Sequence, residues 1–355
     1  MKKSFVVGLA IGLTLAGASL VLANSQIQAI LNSQIKVTLN GKVQEFRDET
    51  TNEVQYPITY HDRTYLPLRT VANLVGVNVD YNAETQTAIL ETNANIEDTI
   101  NYSVVQVSTV RELLNNIKPY TKIILTGDLY GLHSTDLITY EGENVYFEEC
   151  FDGYEMIIHD IDHLQICADE NVIPELTTTY RYANVLNFKN CNDVKLDGLM
   201  MGHDIEKGYC LGGVLNIENS SNIEITNCFM YGCGTYGISS RESNNISINN
   251  SDIYECSYGL VDIANCHNFE FNNCILRDSE QFTMFAMNNC TNVQFKHCTI
   301  TGNRSGMYNS LISDEGSSNI TFFKCLFEKN EYEKFVGKNP VVKIVSCKII
   351  NNNQK

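Results

Sequence analysis

The sequence predicts a mainly β chain, in which about ten similar coils of short parallel strands stack behind a small α+β module. Three observations carry this expectation. A block of about 23 residues recurs down the C-terminal half, with clear copies beginning at Asn222-Ile223-Glu224-Ile225, Asn245-Ile246, Asn268-Phe269, Asn292-Val293 and Asn319-Ile320. Inside each copy apolar and polar residues alternate, the period of a strand with one buried face. Five residues after each anchor comes a small residue (Cys228, Ser251, Cys274, Cys298, Cys325), and two later a large apolar one (Met230, Ile253, Leu276, Ile300, Phe327).

From the N-terminus, residues 1–23 read as an export signal. Lys2-Lys3 is a charged start, Phe5 to Leu22 an apolar run, and Val21-Leu22-Ala23 ends in a cleavage-type sequence. An uncleaved membrane anchor is the other reading of the same run. No Cys follows the cut, so lipid attachment there is not expected, and no later stretch is apolar enough to span a membrane. The mature protein is expected outside the cell or at its surface. The formal charge of −17 argues against nucleic acid as a partner.

Residues 35–92 read as a separate unit. Ile35 to Lys42 alternates into an Asn40-Gly41 hairpin turn. Tyr65-Leu66 is a strand ended by Pro67, Thr70 to Val75 a short helix closed by Gly76, and Val77–Tyr81 with Thr87–Leu90 a closing hairpin. The Asn40-Gly41 hairpin, the run Arg63-Thr64-Tyr65-Leu66-Pro67-Leu68-Arg69, Gly76, and the segment from Asp80-Tyr81-Asn82 to Ile89 together resemble the copper amine oxidase-like N-terminal, or stalk, domain of exported bacterial proteins. The resemblance implies a spacer or envelope-contacting module. It does not reach the oxidase's catalytic domain, and His61 is the module's sole histidine, so no copper amine oxidase activity is expected.

After a polar linker at 93–102, Thr109 to Ile117 has helical spacing with Ser108 or Thr109 as N-cap, placed to cover the open end of a coil stack. Apolar anchors then recur at Val145/Phe147, Leu164/Ile166, Val194/Leu196, in the five clear copies, and at Val342/Ile344. The residue before the anchor is His163, Asp193, Asn222, Asn245, Asn268, Asn292 or Asn319. Asn tolerates the left-handed backbone of a sharp bend, and stacked Asn side chains can bond coil to coil. The anchors, the Asn bends and the Cys/Ser positions resemble, over about 103–350, the right-handed parallel β-helix of the pectin-lyase-like superfamily, including NosD-type repeats. Such a fold hosts lyases, hydrolases, adhesins and scaffolds, so it implies little about activity.

The chain has 13 Cys. Most share repeat positions, and Ser replaces Cys at two of them, which reads as small core filling. Parallel stacking is poor disulfide geometry, so mostly free thiols are expected.

Lyases of the resembled superfamily hold calcium on stacked carboxylates. Here the outward positions Lys195, Glu224, Ser247, Glu270, Gln294 and Thr321, and Asp197, Thr226, Asn249, Asn272, Lys296 and Phe323, assemble no such cluster. No cofactor is expected; calcium stays open as an alternative that no carboxylate cluster supports. The irregular coils attract attention instead, because Leu164 to Val194 spans 30 residues and Val194 to Ile223 spans 29. Their added loops carry Tyr180, Arg181 and Tyr182, and His203, Asp204, Glu206 and Tyr209. These residues suit sugar binding, acid/base chemistry by His203 with Asp204 or Glu206 and Arg181, or two solvated loops with an idle histidine. Beside them Tyr231 and Tyr254 align with Arg277, and Tyr236 with Tyr258, as a tyrosine stripe that suits sugar rings or simply stabilises a solenoid.

The expected function is therefore an exported, envelope-associated β-helix protein that binds carbohydrate or serves as a surface scaffold, with a polysaccharide or wall glycan as partner. The alternative is a polysaccharide lyase or glycoside hydrolase acting on an acidic or wall glycan. A third reading, by analogy with NosD alone, is an accessory to metal-enzyme maturation. The last coil shows no capping helix in sequence, which leaves end-to-end self-association open.

Overall fold

The computed structural model describes residues 29–39, 42–47, 53–60, 63–74, 77–82, 87–92, 100–206, 211–232, 234–306, 309–337 and 341–355. The expected signal at 1–23, the Asn40-Gly41 turn, Gly76 and Tyr209 lie outside them. The chain forms two compact units, Met1–Thr99 and Ile100–Lys355. Among the described residues, no helix is long and apolar enough to cross a membrane.

In the first unit Val37–Leu39 pairs antiparallel with Lys42–Gln44, and Ile58–Tyr60 with Arg63–Tyr65. Helix α1 spans Leu68–Leu74 and so starts earlier than the expected Thr70. The reason is Pro67, whose carbonyl accepts the Val71 N–H at 3.0 Å; proline lacks only an N–H that a first turn leaves unpaired. Val77–Asn82 pairs with Thr87–Thr92 as the closing hairpin.

The second unit is a parallel β-helix with three sheets. The first has ten strands, from Ser103–Val107 to Val342–Val345; the second has nine, from Leu129–Gly131 to Lys348–Ile350; the third has nine, from Val145–Cys150 to Lys334–Val336. Helix α2, Val110–Asn116, precedes the second coil. Thr109 caps it, accepting the Glu112 N–H while the Glu112 carboxylate accepts the Thr109 N–H. One expected anchor is misplaced. Val145/Phe147 belongs to the third sheet and pairs antiparallel with Gly153–His159, whereas the strand aligned with Leu164/Ile166 is Thr121–Leu125. Alternation marks a half-buried strand but carries no information on its direction.

The core fills the coil interior with columns of identical register. Ile225, Ile248, Phe271, Phe295 and Phe322 lie one above another, and the rings of Phe271, Phe295 and Phe322 stack at 4.5 and 4.3 Å. Each buried side chain contributes about 1.5–3 kcal/mol relative to leaving it in water.

The corners carry the rest. His163, Asp193, Asn222, Asn245, Asn268, Asn292 and Asn319 all have φ between 54° and 59°. The amides form a ladder: Asn245 Nδ2 donates to Asn222 Oδ1 (3.1 Å), Asn268 to Asn245 (3.0 Å), Asn292 to Asn268 (3.0 Å) and Asn319 to Asn292 (2.7 Å). Two further corners repeat a different device, a left-handed residue followed by a small inward one. Asn227-Cys228, Asn250-Ser251, Asn273-Cys274, His297-Cys298 and Lys324-Cys325 are one such series. The inward hydroxyl or amide accepts the N–H of the coil before it: Ser251 Oγ from Cys228 (3.0 Å), Ser220 Oγ from Cys191 (3.0 Å), Asn330 Oδ1 from Asn303 (3.1 Å). The positions read as core filler therefore also satisfy backbone donors that the bend leaves unpaired.

The eleven described cysteines are free. Their thiols donate to carbonyls, as Cys274 does to Ile248 and Cys298 to Phe271, both at 3.4 Å. Burial pushes Cys191 up to about 11 and Cys228 up to about 12.

Two outcomes are expected. Asn245→Ala, which loses both ladder bonds and strains a left-handed corner, should lower stability in urea by about 1–3 kcal/mol, and Asn245→Gly by less, since glycine removes the strain alone. In the native protein, a thiol reagent should label half-buried Cys150 and Cys347 well before the buried cysteines of the ladder, which should react only on unfolding.

Candidate functional site: the outward face of the second sheet

One of the two irregular coils differs from expectation in where part of its extra length sits. In the coil from Leu164 to Val194 the added length is divided between Asp169–Pro174, between the first and second sheets, and the expected loop at residues 179–185, between the second and third. In the next coil the added length follows Met200–His203, as expected.

His203 is not in a solvated loop. It ends the strand Met200–His203 and is 3% exposed. Its Nε2–H donates to the Ala183 carbonyl at 3.0 Å, its Nδ1 has no partner, and burial pulls its pKa down. A neutral imidazole enclosed in this way ties two coils together, and the expected acid/base role has no route to a substrate through it. Asp204 and Glu206 are exposed; the Asp204 N–H bonds the Thr178 carbonyl, and the Glu206 carbonyl accepts Arg181 Nη1 at 3.3 Å. The Asp152 carboxylate accepts the N–H groups of Arg181 (2.6 Å) and Tyr182 (3.1 Å), so one carboxylate fixes the loop. Tyr180 lies over Gly153 and its hydroxyl donates to the His133 carbonyl, while Tyr182 packs on the highly exposed Phe151 with centroids 4.8 Å apart.

The tyrosine stripe is real at one position and absent at the other. Tyr236 is in register with Gly259, not Tyr258, and its ring covers that glycine; burial pushes its hydroxyl up to about 12. Tyr258 lies one residue earlier and meets Phe282 edge-on at 4.6 Å. By contrast Gly202, Tyr231, Tyr254 and Arg277 share one outward column of the second sheet. Tyr231 reclines over Gly202, where a Cβ would come within 2.5 Å of the ring. Its hydroxyl donates to Glu175 Oε1, and burial together with that carboxylate raises its pKa. Tyr254 stacks on it at 5.7 Å with planes 22° apart, and the Arg277 guanidinium sits 4.2 Å from the Tyr254 centroid.

Arg277 is fixed from below. Its Nε and Nη2 both donate to Asp252 Oδ2 (3.1 and 2.8 Å) and its Nη1 to Asp278 (3.0 Å). Asp252 is 13% exposed at its side chain, and burial raises its pKa while Arg277 offsets the rise. Glu175, Gly202, Asp252 and Asp278 were not anticipated from sequence. Asp252, two residues before Tyr254, is visible once the register is drawn; Glu175 is hidden by the irregular coil. Two outward carboxylates of the first sheet are paired with lysines, Glu270 with Lys296 (2.7 Å) and Glu224 with Lys195 (3.6 Å). Among the described residues, no three His, Cys, Asp or Glu side chains converge as a metal site.

His203 sets a pH dependence. Its folded pKa lies below the unfolded value, so protonation favours the unfolded chain, and stability should fall as pH drops below about 6.5. His203→Gln, which keeps an amide donor for Ala183, should flatten that fall in urea titrations between neutral and mildly acidic pH. An unchanged slope would place the dependence elsewhere.

Residues 183–314 match the right handed beta helix region family, and residues 38–116 match the copper amine oxidase N-terminal domain. The second match runs past the first compact unit into α2. No functionally curated protein matches the sequence. Among solved structures, the chain is similar to a pectate lyase from Paenibacillus sp. 0602 (9% identity, 72% of this chain and 79% of that one, TM-score 0.51). It is also similar to an alginate lyase from Paenibacillus sp. str. FPU-7 (11% identity, 71% and 98%, TM-score 0.47) and to the Streptococcus pneumoniae surface protein and adhesin PfbA (12% identity, 69% and 78%, TM-score 0.38). At such identities the likeness is one of fold. The second unit is thus a right-handed parallel β-helix in fold, with residues 183–314 matching the right handed beta helix region model and residues 38–116, mostly ahead of the coil stack, matching the copper amine oxidase N-terminal domain model.

Proposed function

We propose that this is an exported, cell-envelope-associated protein that binds carbohydrate through the outward face of the second sheet, with the β-helix as a rigid scaffold. The observation that carries the reading is the column Tyr231–Tyr254–Arg277, half-exposed and locked from both ends by Glu175 and Asp252. Aromatic rings held on strands offer apolar surface to the C–H faces of a sugar with little ordering cost on binding. Glu175, which bonds the column at Tyr231, with Asp204, Glu255 and Asp278 near it, supplies hydroxyl acceptors. Tyr182 on Phe151 supports a second contact. The export signal expected at residues 1–23 and the module match at 38–116 support an envelope location.

A pectate lyase shares the fold, so binding and cleavage are tested together. Affinity electrophoresis through polyuronates and bacterial wall glycans should show retention on at least one of them. Tyr231→Ala and Tyr254→Ala should each weaken it about fivefold or more, and Tyr182→Ala by less. Undiminished retention in all three variants would reject this surface. New unsaturated or reducing ends, with or without calcium, would instead make the protein a polysaccharide lyase or glycoside hydrolase.

A further inference from the structure

A separate cleft of about 550 Å³ opens where the last coils turn from the second sheet towards the third, lined by Glu280, Gln281, Arg304, Ser305, Gly306, Glu333 and Lys355. That size is within the range of pockets that enclose small ligands. Its wall is built rather than incidental. Glu280, Arg304 and Glu331 bridge in parallel, one per coil, and Glu331–Tyr332 pairs with Asn353–Gln354. Gly306 passes so close to the Gln281 carbonyl that a Cβ would lie 1.8 Å from its oxygen, so no other residue fits there. Gln281 itself is held at φ 92°, a conformation that non-glycine residues seldom adopt and that tends to mark functional sites.

The chemistry of the lining narrows the ligand. Ser305 is 3% exposed, and its Oγ has no hydrogen-bond partner. The inward corner residue of the same coil, Asn303, is satisfied, its Nδ2 donating to the Leu276 carbonyl at 2.9 Å; the Ser305 hydroxyl, two residues on, is not. A buried hydroxyl without a partner costs stability, and such costs persist where a ligand supplies the missing bond. The charged side chains of the lining are Glu280 and Glu333 against Arg304 and Lys355; Arg304 pairs with Glu280 at 3.3 Å and Lys355 with Glu331 at 2.6 Å, which leaves Glu333 as an acceptor. The lining side chains therefore sum to no formal charge that calls for an ion. What remains are the spare donors of Arg304 and Lys355, the half-buried Glu333 carboxylate, the Gln281 amide and the Ser305 hydroxyl. Donors and acceptors interleaved without net charge suit a ligand whose groups both donate and accept, namely adjacent hydroxyls on a ring.

We propose that this cleft binds a neutral sugar unit, independently of the tyrosine stripe. The test is isothermal titration calorimetry of the full chain with D-glucose, D-galactose and N-acetylglucosamine, beside D-galacturonate and glycine as anionic and zwitterionic probes. At least one neutral sugar should bind with a dissociation constant on the order of 1 mM. Ser305→Ala and Glu333→Gln should each weaken it about fivefold, and Tyr254→Ala should leave it unchanged. Ser305→Ala should meanwhile melt at or above the wild-type temperature, since it removes an unsatisfied group. Binding of only the charged probes, of none of the sugars, or with a constant unmoved by both cleft variants would overturn the proposal. So would a Ser305→Ala chain that is clearly less stable, because the hydroxyl would then be structural.

Discussion

Everything in the second unit depends on keeping neighbouring coils in register at the corners. Strand ladders alone do not guarantee that, because a parallel strand can slip by two residues and keep its faces. The corners remove the freedom. Each bend needs a left-handed residue; at one corner that residue is an Asn bonded to the Asn of the next coil, and at the other two it is followed by a small inward group, which at Ser220, Ser251 and Asn330 reaches a backbone N–H in the coil before it. A slipped coil would lose all three at once. The aromatic column inside and the tyrosine column outside inherit their alignment from this constraint.

Much of that was legible in the residues. Asn at a fixed distance before each anchor indicates a bend that repeats, and its amides were expected to bond between coils. The structure shows both. Cys and Ser exchanging at one position suggested a small inward group. What the exchange did not reveal is that both accept a backbone N–H, since volume and hydrogen bonding favour the same two residues. Val145/Phe147 failed for a different reason: direction of a strand is a property of its partner, and the partner here is an adjacent hairpin arm.

The site was harder to read, because register must be known before a column can be drawn. Tyr231, Tyr254 and Arg277 lie in regular coils and align as counted. Tyr236 and Tyr258 do not, since the strand partner of Tyr236 is Gly259. His203 looked like a loop residue next to Asp204 and Glu206, yet the strand runs through it and closes over it. The cleft around Ser305 escaped notice altogether. Its members are scattered from Glu280 to Lys355 and belong to no motif; only the three-dimensional turn of the last coils assembles them.

The two side-chain ladders point in opposite directions. Each outer Asn donates towards the coil before it, while each inner hydroxyl or amide accepts from the coil before it, so that the donor lies on the earlier coil. An α-helix adds its peptide dipoles end to end and accumulates a field at its termini. Here the two series oppose and partly cancel. A stack built this way can grow by one coil, or lose one, while these two series add opposed rather than accumulating dipoles along its axis.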